Sequence, residues 1–168
     1  MARPATPPSP APGQELRLGP VRIVVELPSS AGGDVRFRFA APPGPVAPGL
    51  HVHPDATEHV ELHHGALVVR RSGLPTVLLR AGDRTSIPAG TPHSLWAVGP
   101  GTRGVATLTP GIRLDETFAD LAAELGRRPP RPWALAAITR RHLDHTRLAR
   151  IPVGVQRRVF GVLGLGRR

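Results

Sequence analysis

The chain has no cysteine, no lysine and no tyrosine, and only 4% of its residues are aromatic. The lack of cysteine excludes disulfide bonds and thiolate metal sites, so imidazole and carboxylate groups would have to hold any metal. The scarcity of aromatic side chains argues against a protein that stacks single-stranded nucleic acid. No apolar run reaches the roughly 20 residues that span a bilayer, and residues 1–14 lack the apolar stretch of a signal peptide. These absences predict a cytoplasmic protein with no transmembrane segment.

The positive charge is unevenly distributed along the chain. The net charge is +10 and all 22 basic residues are arginine. Residues 1–112 carry ten arginines against seven acidic residues, whereas residues 113–168 carry twelve against five. A strongly basic protein often has a nucleic acid or an anionic membrane as its partner. Because the excess follows the predicted β-domain and aromatic residues are few, nucleic acid is not favoured as a partner here.

Proline and glycine together contribute 40 of the 168 residues, 21 and 19 respectively, which favours many turns and short elements. The first 15 residues are proline-rich and are predicted to form a disordered leader. Between them and residue 112, short alternating or β-branched runs bounded by Gly, Pro or Ser indicate strands. These predicted strands are Val21–Glu26, Asp34–Ala40, His59–His63, Ala66–Arg71, Thr76–Leu79, Thr85–Ile87, His93–Val98 and Gly104–Thr109. Many short strands without intervening helices predict an antiparallel sandwich or barrel over residues 16–112.

The alternation within these strands predicts which side chains face inward. Inward positions are expected at Phe37, Phe39, Val60, Leu62 and Val68. Solvent-facing positions are expected at His59, Glu61 and His63. Trp96 lies one residue out of phase with its inward neighbours, and we expect it to pack in the core or in an interface.

Residues 113–168 have a helical period. Apolar residues recur from Leu114 to Leu125 at three- and four-residue steps, with acidic residues in the first turn and Gly126 at the end, which predicts an amphipathic helix. A second helix is predicted from Trp133 to about Arg150, and residues 153–168 are also predicted to be helical. Such a basic, apolar extension could lie on a membrane surface, or it could pack on its own barrel or a twin subunit with its arginines solvated. The second interpretation is favoured.

The candidate metal ligands occur in two segments. His51 and His53 are two residues apart, so on a strand they project to the same face. Glu58 follows after four intervening residues, enough for a turn that returns its carboxylate to the histidines, and His93 ends the segment that begins at Gly82. Three imidazoles and one carboxylate suit Fe, Mn, Ni, Cu or Zn and offer too little oxygen for Ca.

These two segments resemble the two motifs of the cupin family. The first motif has HxH, three or four residues, Glu, six residues and Gly, and His51, His53, Glu58 and Gly65 keep these intervals. Its opening glycine normally lies six positions before the first histidine, whereas Gly44 lies seven before it. In the second motif, Gly82, Pro88, Gly90 and His93 match, but Ala97 stands where the family has Asn. The resemblance covers residues 20–110.

The resemblance implies an all-β double-stranded β-helix (jelly-roll) barrel with C-terminal α-helices. It also implies one divalent transition metal held by His51, His53, Glu58 and His93. Glu58 could serve as a catalytic base when it leaves the metal. Cupins of this kind include dioxygenases, isomerases and cyclase-like enzymes, and a largely apolar or aromatic small molecule is the expected substrate. Some cupins keep the fold without a metal, so a non-catalytic module that binds a small molecule is the alternative. The resemblance also implies a homodimer.

Overall fold

The computed structural model describes residues 9–46 and 49–164. The described residues form twelve strands, and residues 1–8 of the predicted leader lie outside them. The strands are β1 Glu15–Leu18, β2 Val21–Leu27, β3 Val35–Ala41, β4 Gly44–Pro45, β5 His51–Val52, β6 Thr57–His64, β7 Ala66–Arg71, β8 Leu74–Arg80, β9 Arg84–Ile87, β10 His93–Ala97, β11 Thr102–Thr109 and β12 Arg147–Leu148. All eight predicted strands are present, and each begins and ends within two residues of the predicted position.

The strands form two antiparallel sheets. One sheet has the order β1-β2-β3-β11-β6-β9, and the other has the order β12-β5-β10-β7-β8, with β4 paired to β10. Chain neighbours such as β6 and β7 lie in different sheets, as in a jelly roll, and the predicted β-sandwich or barrel class is confirmed. The arrangement places β5, β6 and β10, which carry the candidate ligands, around the space between the sheets.

Alternating apolar side chains fill the space between the sheets. Phe37, Phe39, Val60 and Leu62 are all buried as predicted, and the intervening His59 and His63 are exposed. This pattern follows from the two-residue period of a strand, which turns successive side chains to opposite faces.

The inward position predicted on β7 is wrong. Val68 is only half-buried, and its neighbours Leu67 and Val69 point into the core instead. The connection from β6 passes through Gly65, which has a positive φ of 80°, and the inward positions change there from even to odd numbers. If the alternation of β6 is continued through the turn at Gly65, it predicts that the wrong face of β7 points inward.

Three α-helices follow the strands of the barrel. They are α1 Leu114–Leu125, α2 Pro132–Arg141 and α3 Val153–Gly164. The first agrees with the predicted helix. The second was predicted to continue to about Arg150, but it ends nine residues earlier because Arg147–Leu148 pairs as strand β12 with β5. The predicted third helix is present, although residues 165–168 of it lie outside the described part of the chain.

Three further predictions concern Trp96, the N-terminal leader and membrane-spanning segments. Trp96 is 53% exposed, so it does not pack in the core, and its packing in an interface stays a prediction. Ser9, in the middle of the predicted disordered leader, donates a hydrogen bond to Glu116 on α1 at 3.0 Å, and the last residue of that leader, Glu15, begins β1. None of the helices in the described ranges is long and apolar enough to cross a membrane.

Candidate metal centre and its cavity

The four predicted ligands lie together inside the barrel. His51 is on β5 and pairs in register with His93 on β10, while Glu58 enters from β6 in the opposite sheet. His53 follows β5, and its backbone carbonyl accepts a hydrogen bond from the amide of Gly90 at 2.8 Å. One ligand atom from each of the four residues lies within 4.8 Å of the other three, and all four side chains are buried. The spacing of the two segments thus predicted a true spatial cluster.

Backbone carbonyls fix the orientation of the three imidazoles. The Nδ1 atoms of His51, His53 and His93 lie 3.3, 3.0 and 2.8 Å from the carbonyl oxygens of Gly49, His145 and Thr91, respectively. Because a carbonyl can only accept, each Nδ1 carries the proton and donates it. Each neutral ring therefore keeps the lone pair of Nε2 available, which is how a metal-binding histidine is usually arranged.

Two buried atoms at the centre of the cluster lack hydrogen bonds. Glu58 Oε2 and His93 Nε2 are 2.8 Å apart, but among the described residues neither has a hydrogen bond of acceptable geometry. Buried polar atoms without partners are costly, and they usually indicate a functional group or an ion. A divalent cation among these four side chains would satisfy both atoms, so the residues present fit a metal of the imidazole- and carboxylate-binding class.

The electrostatics of the cluster favour a cation. Burial lowers the pKa of His51 to about 3, assisted by repulsion from His93 and His53, and burial also lowers the pKa of His53. Burial alone would raise the pKa of Glu58, but its contact with His93 and the charges of the imidazoles lower that pKa to about 2. Burial would likewise lower the pKa of His93, but the Glu58 carboxylate raises it. The pocket therefore holds a carboxylate that one positive charge must balance.

The neutral state of His51 predicts a loss of stability in acid. The unfolded chain takes up a proton at His51 near pH 6.5, whereas the native state does so only near pH 3. Unfolding therefore becomes easier as the pH falls from 6.5 towards 3. From pH 7 to pH 5 this single group should remove about 2 kcal/mol of unfolding free energy from the chelator-treated protein.

Urea denaturation at both pH values measures this loss. The His51→Gln variant should lose about 2 kcal/mol less than the wild type over the same interval. His63→Gln, which changes an exposed histidine, serves as the control and should behave as the wild type. Equal pH dependence in the wild type and His51→Gln would show that His51 is not buried in its neutral form.

The C-terminal segment completes the surroundings of the cluster. Strand β12 pairs with β5, so that Leu148 lies opposite His51. The carbonyl of His145 accepts from His53 Nδ1, and the hydroxyl of Thr146 lies 3.2 Å from the same nitrogen. The side chain of Gln156 on α3 is buried and bridges both backbone groups of Leu148, at 2.8 and 3.1 Å. The helical extension is therefore part of the site.

A large apolar cavity adjoins the cluster. Its volume is about 590 Å³, and His51, His53 and Glu58 form part of its wall. The barrel contributes Phe37, Phe39 and Leu95, and the helices contribute Phe118, Leu135 and Phe160. This size is typical of sites for small organic molecules. The expectation of apolar surroundings is met, but part of the lining comes from helices that the sequence pattern did not assign to the site.

Sequence reasoning missed the polar residues that the extension brings to the cavity. These residues are Thr117, Thr139, His142, Thr146 and Arg147. His142 is buried, and its Nε2 lies 3.0 Å from Asp120 Oδ2. By contrast His64 is exposed, and its ring lies beside the carbonyl of Gly101. The helical period of residues 113–141 predicts an apolar face but does not show what that face covers.

Comparison with solved structures identifies the fold. KdgF from Halomonas sp. superposes with a TM-score of 0.52 at 18% identity, over 59% of this chain and 89% of that one. The oxalate decarboxylase of Bacillus subtilis superposes with a TM-score of 0.50 at 17% identity, over 59% of this chain and 27% of that one. At these identities the likeness shows a shared fold alone.

Comparison with curated sequences finds a similarity to part of a longer protein. A phosphate acyltransferase of Beijerinckia indica subsp. indica is 29% identical over 160 residues, and the match covers 80% of this chain. The chain spans 40% of the length of that curated relative. No protein-family model matches the chain.

Proposed function

We propose that this chain, which shares its fold with KdgF and the oxalate decarboxylase, is a cupin with a metal-dependent function at the buried cluster. One divalent transition metal (Fe, Mn, Zn, Ni or Cu) would be held by His51, His53, Glu58 and His93. The substrate would be a small, largely apolar or aromatic molecule bound in the adjoining cavity. The observation that carries this proposal is the convergence of four buried ligand atoms, two of them without hydrogen bonds, on the wall of that cavity.

The residues of the chain would perform three tasks. The apolar walls would bind the substrate and exclude water, which strengthens electrostatic interactions inside the site. The backbone carbonyls would orient the three imidazoles by accepting from their Nδ1 protons, which leaves Nε2 of each ring to face the metal. Glu58, which is ionised at neutral pH because its pKa is lowered to about 2, would accept a proton when its carboxylate leaves the metal. The metal, when bound, supplies Lewis-acid chemistry if it is zinc and dioxygen chemistry if it is iron. Dioxygenase-, isomerase- and cyclase-like reactions are all compatible with this arrangement.

A non-catalytic role is the second candidate. The cavity lining is mostly apolar, and acid–base groups at the site are few, so the barrel could hold a small molecule without transforming it. A cytoplasmic location and a homodimer remain predictions from the sequence.

The test is the metal content of untagged protein purified without chelator, measured by plasma mass spectrometry. We expect near-stoichiometric transition metal in the wild type and loss of it in the His51→Ala/His93→Ala variant. His59→Ala/His63→Ala removes two exposed histidines of β6 and should keep the metal, which controls for adventitious binding. A folded wild type that contains no metal and takes up none on addition would refute the metal-dependent function and favour the binding module.

A further inference from the structure

Helix α3 carries an exposed apolar stripe. Val155, Val159 and Val162 follow one another at four- and three-residue steps, and their side chains are 48%, 45% and 73% exposed. Leu163 extends the stripe and is also exposed. This spacing places the four side chains along one face of the helix. Four neighbouring apolar side chains at a protein surface often mark a contact with another surface.

The face of α3 that adjoins the stripe is anchored. Gln156 is 1% exposed and holds β12 through its side-chain amide, and Phe160 lines the cavity. The apolar stripe is therefore directed outward and cannot turn into the cavity without breaking these contacts. The favoured expectation was that this extension packs on its own barrel or on a twin subunit, and the exposed stripe of α3 does not pack on its own barrel.

Charge distinguishes between the surfaces that could cover the stripe. Residues 132–164 carry six arginines and a single acidic residue, Asp144. Asp144 already pairs with Arg157 at 2.6 Å, and Arg158, adjacent to Val159, has no salt bridge within the described ranges. A second copy of the chain docked face to face would bring two arginine-rich surfaces together, which is unfavourable. An anionic surface would neutralise them.

We propose that the stripe of α3 docks on the surface of an anionic lipid bilayer. The valines and Leu163 would lie among the acyl chains near the headgroups, and the arginines would contact anionic headgroups. Since α3 also contributes Phe160 to the cavity, docking would place the cavity wall at a phase in which apolar molecules concentrate. The proposal does not depend on the metal, because none of its residues belongs to the cluster.

Vesicle co-sedimentation of the full chain at about 0.15 M salt tests the proposal. One vesicle population contains phosphatidylcholine alone and the other contains phosphatidylcholine with phosphatidylglycerol. The test variant, Val155→Thr/Val159→Thr/Val162→Thr, keeps the branched shape and nearly the helix propensity of valine while adding hydroxyls. The control variant, Leu74→Thr/Leu78→Thr, makes a comparable change at two exposed apolar residues of β8.

We expect the wild type and the β8 variant to bind the vesicles with phosphatidylglycerol, and the α3 variant to bind them about tenfold more weakly. Failure of the wild type to bind these vesicles overturns the proposal. An α3 variant that binds no more weakly than the β8 variant also overturns it, because arginines alone would then explain the adsorption. Sedimentation equilibrium tests the alternative that a second copy of the chain covers the stripe. A wild-type dimer that the α3 variant cannot form, without vesicle binding, would assign the stripe to a second copy of the chain.

Discussion

Glu58→Gln is expected to weaken divalent-metal binding by about 100-fold or more, a larger loss than that caused by altering groups that merely orient ligands. Glutamine preserves the shape of the side chain but removes the single negative charge that faces three imidazoles. Glu58 Oε2 lies 2.8 Å from His93 Nε2 and 3.8 Å from His53 Nε2, so its charge acts at short range in a buried pocket. Competition against a chromophoric chelator measures the affinity with zinc as the probe.

Glu61→Gln is the matched control for this change. Glu61 lies on the same strand three residues later, but its side chain lies outside the core and is 43% exposed. The substitution alters net charge equally and should leave the affinity unchanged. If both variants bind zinc as the wild type does, Glu58 does not ligate the metal and the four-residue site is wrong.

Gly104→Ala is expected to reduce the unfolding free energy by about 3 kcal/mol. A Cβ atom at this position would collide with the carbonyl oxygen of Glu61 and would lie 2.8 Å from Phe39 Cζ. Glu61 belongs to β6, which is paired on both sides and cannot move away alone. The register of β11 on β6 also shifts between Arg103 and Gly104, so the backbone is already irregular at this point. Urea denaturation monitored by circular dichroism gives the change.

Gly99→Ala provides the comparison for Gly104→Ala. Its added Cβ would meet only the amide nitrogen of Ala66, at an ordinary contact distance of 3.7 Å. The expected change in unfolding free energy is within about 1 kcal/mol. Equal effects of the two substitutions would mean that the close approach of β6 and β11 at Gly104 does not exist in solution.

The ligand cluster could be predicted because its two segments resemble the two cupin motifs, and three of its four members are local in sequence. His51, His53 and Glu58 stand within eight consecutive positions, where a short strand and one turn bring them together. His93 required a second segment, and its place follows from the turn Pro88–Gly90, whose glycine donates to the carbonyl of His53. Residue type and spacing therefore carry most of the geometry of the cluster.

The contribution of the C-terminal segment could not be predicted from local patterns. Arg147 and Leu148 show no strand signal, and no Gly or Pro interrupts the helical pattern between Trp133 and Arg150. The chain leaves the helix because pairing with β5 satisfies backbone groups of the ligand strand, and this long-range gain overrides local helix propensity. The same reason explains why the sequence predicted the apolar barrel side of the cavity but not the side that the helices form.

The hydrogen bond between His53 and His145 joins residues 92 positions apart in the chain. During synthesis the barrel strands leave the ribosome before β12 does. Until β12 pairs with β5, one edge of β5 is unpaired and the ring of His53 lacks its hydrogen bond to the carbonyl of His145. Contacts of such long sequence separation form late, because loop closure costs conformational entropy before the contact returns any stabilisation. We therefore expect the barrel to fold first and the C-terminal segment to pack on it second. The orientation of the His53 ring would be fixed last. A nascent chain paused before residue 145 would present a nearly complete barrel whose candidate metal pocket still lacks one of its walls.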